Sequence, residues 1–417
     1  MEVNVSSRKM RIAYLTSRLP FPPIDGGRIR SYHFLRHLLR FHEVTLYAIG
    51  SDPGRNADHF QRLDGLSQNL FQISTLGFVR NAVQGLLSHQ PLQTGLYKSG
   101  ELALALAQDF DRGNIDVIIA HLIRTAEYPR PFGSIPRILD MTDSIHLNYA
   151  RMRGLSLSPH RLAAHIERER LEKYEPAVCS RFDNVLLASP LDIAWLQQRH
   201  CGANLTLIPT GIDASDYPFH QGSFDRNRII FVGKLDYLPN TDAVTYFVQE
   251  VLPLVRQAVP KAEFVAAGWN PPRSIQRLAR KPYVKILPNV HDVRPEVSKS
   301  AISVAPMRFG AGIQVKVLES LALGTPAVAT ESVVGAFGEE GKNAIPVGRD
   351  PREFAEKVVS VLRDTDYRER LRHAGRKLIE TRFQWDQVLA PLDGILRGFA
   401  KKGQEPNSAP ALRGHPD

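Results

Sequence analysis

Arg228-Ile229-Ile230-Phe231-Val232-Gly233 is an apolar run of strand length closed by a glycine, and it marks the point where the pattern of the chain begins again. After it come a helical period over 241–257 and further short apolar runs near 262–267, 283–287, 301–305 and 326–329. Before it, the same kind of run recurs near 11–16, 43–48, 116–120, 136–141 and 184–188. Short apolar runs bounded by Gly, Pro or Asp and separated by helical stretches build parallel sheets from βαβ units. The sequence therefore predicts two doubly wound α/β domains. Between them, Leu207-Ile208-Pro209-Thr210-Gly211-Ile212-Asp213 leads into a polar stretch ending at Asn227, and an interdomain cleft is expected there. Past residue 347, helical patterns cover 350–363, 366–380 and 385–399, the last being surplus to the second sheet's repeat. The polar tail from Lys401 to Asp417 lacks an apolar period and is expected to be disordered.

The length of 417 residues suits two or three domains at roughly 150 residues each. With 53 basic and 43 acidic residues the formal charge is +10, which favours an anionic partner: nucleic acid, a phosphate ester or an acidic membrane surface. Cys179 and Cys201, the only cysteines, are too far apart in sequence for a CxxC pair and argue against a disulfide framework. No apolar segment is long enough for a signal-peptide core or a membrane span, so a cytoplasmic protein is expected.

Three stretches carry chemistry. The first apolar run opens into Ser17-Arg18-Leu19-Pro20-Phe21-Pro22-Pro23-Ile24-Asp25-Gly26-Gly27 and a basic helix from about Arg28. A glycine pair at a helix N-terminus lets backbone amides approach a phosphate or sugar, though it reads equally as a plain turn capped by Asp25. In the second, strand 228–233 ends in Gly233-Lys234, at the edge where open α/β sheets bind ligands; a solvated loop lysine is the plainer reading. The densest is Ala305-Pro306-Met307-Arg308-Phe309-Gly310-Ala311-Gly312-Ile313-Gln314-Val315-Lys316-Val317-Leu318-Glu319, running on to Thr330. There a strand meets a glycine-rich loop and a helix starting near Ile313. Lys316 and Glu319 share a helical face, suiting phosphates on amides and cations and a ribose on the carboxylate. His121 ends the strand at 116–120, where a lone histidine is more often structural.

The run Gly-x-Gly-x-x-x-Lys-x-Leu-Glu-x-x-x-x-Gly-x-Pro-x-x-x-Thr, with Phe-Val-Gly-Lys-Leu-Asp-Tyr-x-Pro-Asn-x-Asp-Ala and Arg-Leu-Pro-Phe-Pro-Pro, resembles the family-4 glycosyltransferases. The nearest resemblance is to bacterial sugar transferases of exopolysaccharide and exosortase systems, over roughly residues 10 to 398. It implies a GT-B architecture in which two Rossmann-like domains face each other across a cleft. An acceptor-binding domain would span 1–210, a nucleotide-sugar-binding domain 211–380, a helix crossing back to the first domain 381–400, and a disordered tail 401–417. Position by position, it implies that Glu319 holds the donor ribose and that Gly312, Ile313 and Gln314 meet the diphosphate. Lys234 stands for an arginine after Gly233, Gly26 and Gly27 close over the donor, and His121 lies near the donor sugar. His121 and Lys234 would be the catalytic groups. Two departures stand out: Ala311 replaces a second glutamate, and Asn240 replaces a second basic residue, whose charge Lys316 or Arg308 must supply.

The expected activity is that of a retaining hexosyltransferase using a nucleotide-sugar donor and a lipid-linked or polysaccharide acceptor. No cofactor and no metal are expected, because cations and a helix N-terminus can stabilise the departing diphosphate. Asp364-Thr365-Asp366 reads as a helix cap rather than a metal motif. The alternative is a catalytically weak nucleotide-sugar-binding protein of the same fold. A nucleic-acid partner is disfavoured, since no recognisable module accompanies the positive charge. Phe78, Val79, Val83, Leu86 and Leu87 gather on one side of a helical stretch, Gly77–His89, and read first as a core-facing stripe. With Arg28, Arg30, Arg36 and Arg40, that stretch could also hold the protein on the inner face of an anionic membrane.

Overall fold

The computed structural model describes residues 9–23, 25–50, 63–88, 90–151, 159–310 and 312–402; Ala311, His89 and the tail from 403 lie outside the described residues. Strands β1 (Arg11–Thr16), β2 (Glu43–Ile49), β3 (Leu66–Phe71), β4 (Val117–His121), β5 (Arg137–Thr142), β6 (Asn184–Leu187) and β7 (Asn204–Leu207) form one parallel sheet, ordered β3-β2-β1-β4-β5-β6-β7. Strands β8 (Asp225–Val232), β9 (Glu263–Gly268), β10 (Val284–Pro288), β11 (Ser300–Ala305) and β12 (Ala327–Ala329) form a second, also parallel, ordered β10-β9-β8-β11-β12. Strand order reverses between β1 and β4 in one sheet and between β8 and β11 in the other. At such a reversal the loops at the carboxyl ends diverge and leave a crevice for ligand.

The helices that matter to the site are α1 (Gly26–Leu38), α2 (Thr75–Leu87), α3 (Pro159–Cys179), α4 (Leu238–Tyr246), α5 (Val315–Ala322), α6 (Thr365–Arg382) and α7 (Trp385–Lys402). The two parallel α/β sheets are those expected from the apolar runs. Strands β3 and β7 were not: each is a sheet edge, only partly buried, and so lacks the continuous apolar run of a central strand. Asp364 caps α6, its side chain accepting from Tyr367 N at 2.8 Å.

Helix α7 leaves the second sheet and returns to the first. Its Trp385, Val388, Leu389, Leu392 and Leu396 join the core formed by β1 and α1. Trp385 stacks on His33 at 4.4 Å, and Asp393 and Asp386 meet His37 Nε2 at 2.8 Å and Arg40 at 2.6 Å. The outgoing chain and the returning one lie side by side, with Ile212 N donating to Phe383 O at 2.7 Å.

Two features differ from expectation. The arginines of the basic helix do not form one basic face: Arg30 is fully buried and Arg28 lies 3.6 Å from Asp25, while Arg36 and Arg40, paired with Asp213 and Asp386, stay 58% and 52% exposed. Helix α2 is inverted. It packs inward through Asn81, which donates to Leu96 O and Lys98 O, and through Gly85, whose small size admits Leu92 and Gly95. Leu76, Phe78, Val79, Val83, Leu86 and Leu87 face outward, Leu76 and Leu87 each 82% exposed. The core-facing reading of this stripe is thereby overturned.

Candidate functional site

Gly233, directly after β8, has φ 153°, and a Cβ there would lie 2.9 Å from Asn240 Nδ2 and 3.4 Å from Lys316 Nζ. The bare glycine leaves room for that amide and ammonium to come together. Asn240 donates through Nδ2 to Lys234 O at 2.8 Å and accepts through Oδ1 from Lys316 Nζ at 2.6 Å, while Lys316 lies 4.2 Å from the Phe231 ring centre. Asn240 therefore holds the cation of Lys316 at the place where the family resemblance implies a basic residue. Burial draws the Lys316 ammonium down to about 7, against the pull of Glu319. Lys234 is 62% exposed and only loosely paired with Asp236, at 3.7 Å.

Arg308, the other candidate for the second charge, is bonded through both Nε and Nη2 to Asp242 of α4 and lies over the Tyr246 ring. The pairing ties Arg308, 46% exposed, to α4. Glu319 lies one turn beyond Lys316 on α5 and accepts from the Tyr217 hydroxyl at 3.0 Å. Burial pushes the Glu319 carboxyl up to about 7, with Tyr217 and Lys316 opposing.

The loop before α5 turns through Gly310 (φ 120°) and Gly312 (φ 72°), a left-handed region that side chains resist, and is anchored by Ile313, buried in the core. Gln314 stands at the N-cap of α5 without a side-chain capping bond. By contrast, Asp25, Ser74 and Asp364 all cap their helices. An uncapped N-terminus at a glycine-rich loop presents amides and the positive end of the helix dipole to an anion. Across the cleft stands the N-terminus of α1, where a Cβ on Gly26 would lie 4.0 Å from Val315 Cγ2; Gly27 follows it in the same first turn.

The floor on the N-domain side is a buried charge cluster. Arg30 donates through Nε and Nη2 to Asp140, at 2.8–3.0 Å, and through Nη1 to Ile208 O at 2.7 Å. His121 Nδ1 meets Asp140 Oδ2 at 2.8 Å, and its ring stacks on Tyr14. Burial alone would raise the Asp140 carboxyl, but Arg30 and His121 outweigh it and hold the group at about 2. His121 is 2% exposed and forms part of this floor. Beyond it, Thr142 ends β5 with φ 67°, and Asp143 follows beside Gly312. Burial and the charge of Asp140 push the Asp143 carboxyl up to about 6, while Arg30 pulls it down.

The structure thus gathers Gly233, Lys316, Gly312, Gln314 and Glu319 at one sheet edge with Gly26 and Gly27 opposite. Asn240, Tyr217, Asp140 and Asp143 were not singled out as site residues in the sequence. Of these, Asn240 was marked as a departure from the family motif, and Asp140 carried the signal of a charged residue inside the apolar strand Ile138-Leu139-Asp140-Met141. Among the described residues no group of His, Cys, Asp or Glu is arranged to hold a metal ion, and no helix is long and apolar enough to cross a membrane.

Two parallel sheets of Rossmann type facing across a cleft, with the last helix returning to the first domain, define a GT-B fold. Residues 226–364 match the family described as Glycosyl transferases group 1, in keeping with the resemblance read from the motifs. Among solved structures, the chain is similar to sucrose-phosphate synthase from Thermosynechococcus elongatus, with TM-score 0.72 and 15% identity, covering 95% of this chain and 100% of that one. It is similar to HepE from Anabaena in complex with UDP and glucose, with TM-score 0.62 and 13% identity over 93% and 99% of the two chains. It is also similar to α,α-trehalose 6-phosphate synthase from Burkholderia multivorans, with TM-score 0.63 and 12% identity over 95% and 98%. No curated protein matches the sequence.

The buried cluster yields a stability prediction. Asp140 is held below its ordinary value of 3.8, so its contribution is present above that pH and is lost as pH falls from 3.8 through about 2. Asp140→Asn, which leaves Arg30 buried and unpaired, should cost about 3–5 kcal/mol in urea denaturation at neutral pH. It should also flatten the acid limb in that window, and an unchanged midpoint with an unchanged acid limb would count against the cluster.

Proposed function

We propose that this protein is a retaining, metal-independent hexosyltransferase that moves a sugar from a nucleotide-sugar donor to a lipid-linked or polysaccharide acceptor in cell-surface or exopolysaccharide assembly. The observation that carries this reading is the set on α5: an uncapped N-terminus, Lys316 held by Asn240 under Gly233, and Glu319 one turn further on. The ribose hydroxyls donate to Glu319. The diphosphate lies on the amides of Gly312, Ile313 and Gln314, with Lys316 and Lys234 as counter-charges and the glycines Gly26 and Gly27 closing from the other side.

As the bond from the anomeric carbon to the diphosphate breaks, its electron pair leaves on the phosphate oxygen. Fixed cations and a helix dipole stabilise that charge without having to reorganise. The acceptor oxygen bonds to the anomeric carbon from the face the diphosphate leaves, and its proton passes to the departing phosphate. No metal is required for this, and His121 serves by shaping the floor on which the sugar rests. The relative HepE, solved with UDP and glucose, supports a nucleoside diphosphate as the leaving group.

Thermal shift and titration against UDP, GDP and dTDP sugars, run in EDTA, test the donor. The wild type should be stabilised by a matching nucleotide sugar, and Glu319→Gln should bind it roughly tenfold or more weakly, as for loss of a hydrogen bond to a charged group. Stabilisation by no nucleotide, or equal affinity in Glu319→Gln, contradicts the reading. Donor binding without transfer would instead favour a binding protein.

For location, the exposed apolar face of α2 supports attachment to the cytoplasmic face of an anionic membrane. The helix carries Arg80 and no acidic residue, and Arg170 of α3 holds its last carbonyls, donating to Leu86 O at 3.1 Å. An exposed apolar helix face can lie in the lipid interface with that side down. In flotation with anionic vesicles the wild type should rise at low salt, and Leu86→Ser/Leu87→Ser should stay in the soluble fraction. Equal behaviour of the two proteins would contradict docking through α2.

A further inference from the structure

We infer that Asp143 is the group through which the N-domain recognises a sugar hydroxyl in the cleft, and that it helps determine which sugar is accepted. This rests on the glycosyltransferase reading and extends it to a residue that the sequence motifs leave unmarked.

The argument begins with position. Asp143 follows directly on β5 at the carboxyl edge of the first sheet, and its Oδ1 lies 3.4 Å from where a Cβ on Gly312 would stand. The carboxylate of one domain therefore touches the glycine loop of the other. Its charge also reaches Tyr237, the N-cap residue of α4, across the same cleft. The loop from Pro306 to Gln314 contains no Asp or Glu, so Asp143 brings to this point a carboxylate that the C-domain loop does not supply.

The backbone that aims it is strained. Thr142 is β-branched and takes φ 67°, and Leu122, at the end of neighbouring β4, takes the same value. Such strained residues cluster where a side chain must be presented. Asn148 hydrogen-bonds to Asp143, yet Asn148 Oδ1 and Thr142 Oγ1 are buried without a hydrogen-bond partner among the described residues. Orphaned buried polar atoms are costly, and two in one cluster with a cleft carboxylate point to a polar ligand that completes them.

The chemistry of that ligand follows from charge. A diphosphate would be repelled by Asp143 and has its counter-charges at Lys316, Lys234 and the start of α5. A hydroxyl can donate to Asp143 or to Asn148 Oδ1 and accept from the Thr142 hydroxyl. Neighbouring hydroxyls on a sugar ring can satisfy all three, whether the ring belongs to the donor or to the acceptor.

The test compares UDP with UDP-glucose and GDP with GDP-mannose on wild type, Asp143→Ala and Asp143→Asn, by calorimetric titration and by acceptor KM. Nucleoside diphosphate affinity should be kept or rise in both variants, since each removes a negative charge beside the Gly312 loop, and this also reports an intact fold. The tighter binding contributed by the sugar should fall at least tenfold if the hydroxyl is the donor's, or acceptor KM should rise by that factor, with donor affinity kept, if it is the acceptor's. Either result supports the inference. Variants that retain both the sugar's contribution and the acceptor KM overturn it, as does a wild type that binds nucleotide but gains nothing from either sugar while acceptor KM is unmoved. A wild type that binds none of the four ligands contradicts the glycosyltransferase reading itself, and this inference with it.

Discussion

Arg30 is a cation with no exposure to water, and three parts of the N-domain are arranged around it. Its guanidinium ties α1 to Asp140 in β5 and to the carbonyl of Ile208, where the chain leaves the first sheet. His121 reaches the same carboxylate from β4. Burying a charge in this way is favourable only when its donors and acceptors are fully matched. The geometry is accordingly inflexible, and the glycines at the start of α1 are held against the C-domain by a helix that cannot rotate without breaking the pair. Asp143, three residues beyond Asp140 in the chain, inherits its position from the same anchor.

The C-domain side is built on the opposite principle, with charges held back rather than fully paired. Lys316 and Glu319 lie one helical turn apart, and burial draws each towards its neutral form near pH 7. An arriving diphosphate favours the charged ammonium, and a ribose diol favours the charged carboxylate, so ligand restores what burial suppresses. Asn240 and Tyr217 fix the two heads in the meantime. Gly233 is bare because any side chain would push Asn240 and Lys316 aside.

The parts of this arrangement legible in the sequence are those that depend on local pattern. Central strands announced themselves as apolar runs, and the surplus helix as an amphipathic segment beyond the second repeat, because burial on both faces or along one stripe leaves that mark. The edge strands β3 and β7 left no such mark. The loop from Arg308 to Glu319 was readable because glycines, a lysine and a glutamate fall at fixed offsets on one loop and helix. What was not readable depends on contacts distant in sequence: Asn240 reaching Lys316, Tyr217 reaching Glu319, Asp242 capturing Arg308. Helix α2 shows the limit most plainly. Its period is that of a buried stripe, yet Gly85 and Asn81 face inward because a close neighbour and two backbone carbonyls require a small residue and an amide there.

The central claim is that one anion lies on the uncapped N-terminus of α5 at Val315, with the glycine turn that opens α1 at Gly26 closing over it from the other domain. Amide hydrogen exchange with and without UDP tests it directly. The account predicts slowed exchange in the first turns of α1 and α5 together, at residues 26–30 and 315–319, with little change in the outer strands β3 and β10. Protection confined to one domain, or absent from both helix starts while UDP binds, would contradict it.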